Sequence, residues 1–169
     1  MDDEAIVARQ LGRAPRAFRR VAARCPFGFP TVTEQAPYDR DGEPFPTTYY
    51  LTCPHLVAAL ARIEAAGGVE RWSSAAEEDP ALEESLVAAT EEQRAVRREL
   101  AGARRGRDGG TSLELGIGGS GNPARLKCLH AHAAFALARP GYVLGERILA
   151  ELDPLWPDRC CSEGLIPDI

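Results

Sequence analysis

At 169 residues the chain is long enough to bury roughly two-thirds of its unfolded surface in one core without disulfide or metal staples. Its apolar and charged fractions are ordinary for a globular protein, and a formal net charge of −5 gives no support to general nucleic-acid binding, whose footprint is a basic surplus. No run approaches the ~18 apolar residues of a membrane span, and the opening MDDEAIVARQ is acidic where a signal peptide is basic, so a cytoplasmic protein is expected.

Asp2 to Leu11 predicts a short helix, with acids in its first turn, Ile6, Val7 and Leu11 on one side, and Gly12 as its stop. Arg13 to Arg24 follows as a basic helical or irregular segment. Six arginines and no acid fall between Arg9 and Arg24, a solvated face or a patch for an anionic partner. In Cys25-Pro26-Phe27-Gly28-Phe29-Pro30 two prolines and a glycine forbid regular helix, which puts Cys25 on a turn. Thr31 to Glu34 predicts a short strand, and Ala36 to Pro46 a loop with its tight turn at Asp41-Gly42.

The β-branched and aromatic run Thr47 to Thr52 is the best strand candidate, with Cys53 at its end. Pro54 then opens a helix whose stripe of Leu56, Val57, Leu60 and Ile63 stops at Gly67-Gly68. Cys53 thus lies at a strand-to-helix junction, where free N–H groups and the helix dipole favour a thiolate. A longer helix is expected from about Pro80 to Arg105, and Arg104 to Gly110 is a basic loop.

Ser112 to His132 carries the densest chemistry. Alternating Leu113, Leu115 and Ile117 predict a strand, Gly116, Gly118, Gly119 and Gly121 a turn, and Asn122-Pro123 the start of a helix bearing Arg125, Lys127, Cys128, His130 and His132. A glycine turn before a helix N-terminus suits an anion, which makes Gly118, Gly119, Ser120, Gly121, Arg125 and Lys127 candidate anion-binding residues. The stretch lacks the lysine-serine ending of a P-loop and the spacing of a dinucleotide fingerprint, and the glycines could serve only a tight connection. On a regular helix Cys128 and His132 lie about 40° apart, Arg125 about 60° from Cys128, and His130 about 200° away. His130 then shares the opposite side with Leu126, Ala133 and Leu137, as a structural hydrogen-bonder. Beyond it, the helix continues to Arg139-Pro140-Gly141, a short helix spans about Gly145 to Leu152, and the tail from about residue 154 is irregular.

Five cysteines are an odd number, and the adjacent Cys160 and Cys161 are poorly placed to pair with each other. In a reducing compartment such thiols are free, bind metal or act as nucleophiles. Cys25, Cys53 and Cys128 with a histidine, His130 or His132, match the donor count of a zinc site, although the paired spacing of zinc fingers is missing. The rival reading makes Cys128 or Cys53 a nucleophile, with His132 or His130 as base and Arg125 or Lys127 holding an anionic substrate. The thiols could also be packing residues only.

RCPFGFP (Arg24 to Pro30), PFPTTYYLTCP (Pro44 to Pro54) and GGSGNPARLKCLH (Gly118 to His130) resemble the signature blocks of the bacterial, mainly actinobacterial, domain-of-unknown-function 501 family. The similarity runs from Gln10-Leu11-Gly12-Arg13 to the cysteine near the C-terminus. It carries no established activity. It implies a neighbourhood of septum-formation initiator-like and exopolyphosphatase-like proteins, hence a cell-division or polyphosphate context, and it marks Cys25, Cys53, Cys128 and His130, with His132 matching less closely. The expected protein is a single α+β domain over residues 1–169, with helices covering a sheet made of the 31–34, 47–52 and 112–117 runs. Its expected role is that of a regulatory or interaction module with a zinc-type Cys/His site beside an anion-receptive turn, its partner an anionic ligand or a protein. The alternative is a small cysteine- or metal-dependent enzyme acting on a phosphorylated or other anionic substrate.

Overall fold

In a computed structural model that describes residues 2–165, six helices surround a three-stranded antiparallel sheet of order β1-β2-β3. The architecture is α+β. Helix α1 (Asp3–Leu11) starts where the Asp2 carboxylate accepts the Ala5 N–H and ends at Gly12, which adopts φ 69°. The strands are β1 (Phe18–Arg24), β2 (Pro30–Gln35) and β3 (Tyr49–Leu51).

The first strand corrects the sequence reading, which made Arg13 to Arg24 helical or irregular and took the third strand from residues 112–117. Local composition could not show that the counter-charges arrive from elsewhere. Arg20 faces Glu34 across the β1–β2 ladder and binds it through two guanidinium nitrogens, Arg16 pairs with Asp39, and Arg24 pairs with Asp3. Arg19 also approaches Glu34, at 3.5 Å, and Arg9 donates to the Leu165 carbonyl, so five of the six arginines are committed to the fold.

Residues 112–117 instead hang on the long helix α4 (Pro80–Ala101) as 3-10 turns. The Gln93 amide donates to the carbonyls of Leu115 (3.4 Å) and Gly116 (2.7 Å), and Arg94 donates to that of Glu114. Side chains thus satisfy backbone groups that a ladder would have used.

Helix α2 (Pro54–Ala65) begins at Cys53 with proline in its first turn, as the sequence indicates. Helix α3 (Gly68–Glu78) fills the stretch left unassigned between the two glycines and Pro80, burying Trp72, Ser73 and Ala76. Helix α5 (Leu129–Ala138) is apolar nearly all round and runs through the core, buried from Ala131 to Ala136. Phe135 there stacks edge-on between Tyr49 of β3 and Tyr142, at 5.5 and 5.4 Å between ring centres. Helix α6 (Val143–Ala150) packs on α5, and the chain then runs irregularly to a 3-10 turn at Glu163–Leu165. The last four residues of the expected tail lie outside the described residues.

The expected helix start at Asn122 is also corrected. Asn122 closes a local turn by accepting the Ala124 N–H on its side chain, Leu126 N–H donates to Ser73 Oγ, and Cys128 is extended at φ −154°, ψ 153°. Helical geometry begins only at Leu129, which moves Cys128 off the helix and undoes the wheel that paired it with His132.

Candidate functional site

The start of α5 is held by a carboxylate from α2. Glu64 Oε1 accepts the Leu129 N–H at 2.6 Å and lies 3.0 Å from His130 Nδ1. His130 Nε2 lies 3.0 Å from the Val57 carbonyl, which can only accept, so that nitrogen carries a proton. Both ring nitrogens thus face oxygen acceptors. The helix N-terminus expected to receive an anion therefore already holds an internal one.

Part of the expected anion cradle is similarly occupied. Ser120 Oγ donates into the carbonyls of Asn122 and Arg125, while Gly116 and Ser120 close the turn by a backbone bond of 2.8 Å. Arg125 binds Glu70 at 2.8 Å and approaches Glu77. Gly118 and Gly119 have φ of 69° and 77°, and a Cβ on them would meet Ala131 at 3.0 Å and Pro46 at 2.7 Å. They are glycines because the turn presses against α5 and the loop before β3. Gly121 has open space around it, and the Lys127 ammonium lies over Gly119.

Cys128 and His130 border one groove of about 580 Å3 between β3, α2 and the start of α5. Its walls are mostly apolar, with Tyr49, Leu51, Pro54, Val57, Ala58 and Ala61 among them. Burial pushes the Cys128 thiol up, and the Glu64 carboxylate adds to this. The N–H groups of Ala131 and His130 and the Lys127 charge pull only part of the way back.

His132 lies elsewhere. It is 1% exposed, its Nδ1 is 2.7 Å from the Tyr142 hydroxyl, and burial lowers its pKa to about 3. Burial also raises the Tyr142 pKa, so the phenol keeps its proton and donates it to Nδ1.

Cys25 and Cys53 occupy a third place. They line a small apolar spot with Cys160 and Cys161 from the C-terminal segment. The expected thiolate at Cys53 is reversed, because burial, with Cys161 beside it, pushes the thiol up to about 12 against the N–H groups of Leu56 and His55. The five residues proposed from sequence as zinc ligands, Cys25, Cys53, Cys128, His130 and His132, are thus distributed over three locations. Among the described residues no three His, Cys, Asp or Glu side chains are gathered as a metal would require.

The two blocks around Cys25 and Cys53 and the one ending at His130 all fall inside a stretch, residues 21–150, that matches the family described as Protein of unknown function (DUF501). The chain belongs to the DUF501 family. No curated protein and no solved structure matches it. The DUF501 match takes in the groove residues from β3, α2 and α5 and stops before Cys160 and Cys161. Reasoning from sequence missed Glu64, which is 65 residues from Leu129 and carries no local signal. It also left the adjacent cysteines without a role.

Proposed function

We propose that this DUF501 protein is a regulatory binding module, whose groove between β3, α2 and the start of α5 takes a small organic ligand with an apolar body. The observation that carries this is the groove itself. A largely apolar concavity of about 580 Å3 falls in the size range of small-molecule sites. Cys128 and His130 border it, and the Cys128 thiol gives the ligand a group to hydrogen-bond. The environment of Cys128 supports binding over cysteine catalysis, because burial favours the thiol and both nitrogens of the nearest histidine are already engaged.

Fluorescence titration with anilinonaphthalene sulfonate tests the reading. Saturable binding at one site per chain is expected, together with loss of that binding in Ala58→Trp, which fills the groove from an exposed helix position. Unchanged circular dichroism and melting temperature would show that the variant is folded. No binding, or equal binding by the folded variant, contradicts the proposal.

A further inference from the structure

Four of the five cysteines come from three distant parts of the chain to one place. Cys25 lies in the turn between β1 and β2, Cys53 at the start of α2, and Cys160 with Cys161 in the segment after α6. Cys53 Sγ is 3.6 Å from Cys161 Sγ, and Cys160 lines the same small space as Cys25. Phe27, Phe29, Pro30 and Trp156 close around them and leave about 10 Å3, too little to hold more than a single water. Being adjacent, Cys160 and Cys161 cannot readily bridge each other, and each reaches a different partner.

We propose that Cys53 with Cys161, and Cys25 with Cys160, are two dithiol pairs that oxidise to disulfides and clasp the C-terminal segment to the sheet and to α2. The direct Cys53–Cys161 contact favours this over a metal centre, which would need the sulfurs set around one point at ~2.3 Å. Cys161 is exposed and Cys53 buried, which sets the order of events. With a low-molecular-weight disulfide RSSR as oxidant, the Cys161 thiolate attacks one sulfur, forming a mixed disulfide and releasing one thiolate. The Cys53 sulfur, losing its proton, then attacks Cys161 and expels the second. The protein sulfurs give up two electrons to RSSR, and the two thiol protons end on two RSH molecules. Sulfur motion of about 1.5 Å closes the bond, and the tail, built only of turns, can supply it.

The test uses the full chain incubated with glutathione disulfide, quenched by alkylation and mapped by mass spectrometry. Expected are the linked peptides Cys53–Cys161 and Cys25–Cys160, with Cys128 left free. The oxidised form should melt about 5–10 °C higher than the reduced form, since each bridge closes a loop of more than a hundred residues. Cys161→Ser, at an exposed position, should lose the first bridge and keep the second. Other pairings, or four free thiols after prolonged excess oxidant, overturn the proposal. So does freshly purified protein carrying about one zinc per chain that protects these four cysteines from alkylation, since the thiols would then be metal ligands.

Discussion

His132 illustrates how little a residue type says before its surroundings are known. The unfolded chain protonates this histidine below its ordinary pKa of 6.5, whereas the folded chain holds it neutral down to about 3. Between those values the unfolded state binds more protons, so stability rises with pH there and falls as acid is added. The loss is expected to be on the order of a few kcal/mol by pH 4, measured by urea denaturation across pH. His132→Asn, whose side-chain oxygen can still accept from Tyr142, should flatten the curve between pH 6.5 and 4; an unchanged slope in that variant would mean other groups cause it. Cys128 gives a second residue-scale expectation. Because burial raises its pKa, alkylation by iodoacetamide at pH 7 should be slower than for a free thiol and should accelerate as the pH is made alkaline. Fast modification at neutral pH would restore the nucleophile reading.

At the scale of elements, α2 and α4 were legible because each has proline in its first turn and a stripe of large apolar residues behind it. Helix α3 was not, since its buried face of Trp72, Ser73 and Ala76 has only one large apolar side chain. The start of α5 was misplaced for a different reason: the irregular stretch is ended by Glu64, and nothing near Cys128 in sequence announces it. That misplacement put His132 on the face of Cys128, whereas the family blocks mark His130 together with Cys25, Cys53 and Cys128. The same carboxylate makes a prediction. Glu64→Ala removes the partner of the Leu129 N–H and of the His130 ring together, and should cost about 1–3 kcal/mol in chemical denaturation. A change under roughly 0.5 kcal/mol would show that water replaces it at no cost. The glycine turn is equally testable. Gly119→Ala puts a Cβ at φ 77° and 2.7 Å from Pro46 Cβ, and should destabilise by roughly 1–3 kcal/mol, while Gly121→Ala, with nothing within 4 Å, should be nearly neutral.

On the scale of the whole molecule, the family match ends at residue 150, yet the fold is sealed by the C-terminal segment beyond it. Leu155 and Trp156 pack against the core, and Ser162, 1% exposed, accepts from the Gln10 amide, which also donates to the Pro30 carbonyl. Arg9 donates to the Leu165 carbonyl, so the C-terminal segment is tied to α1 as well as to the cysteine cluster. No helix among the described residues is long and apolar enough to cross a membrane, and the segment's apolar side chains turn inward to the protein itself. A chain ended after Leu152 loses the burial of one Trp and one Leu and the cover over Cys53. A fully buried large apolar side chain contributes about 1.5–3 kcal/mol and these two are half-buried, so the truncated chain should be about 2–3 kcal/mol less stable and should melt roughly 5–10 °C lower. Under native conditions and with thiols reduced, Cys53 should become reactive towards a disulfide reagent in the truncated chain while it stays protected in the full one. Equal melting temperatures and an equally protected Cys53 would place the whole of the fold's closure within the matched stretch and leave the tail without a structural role.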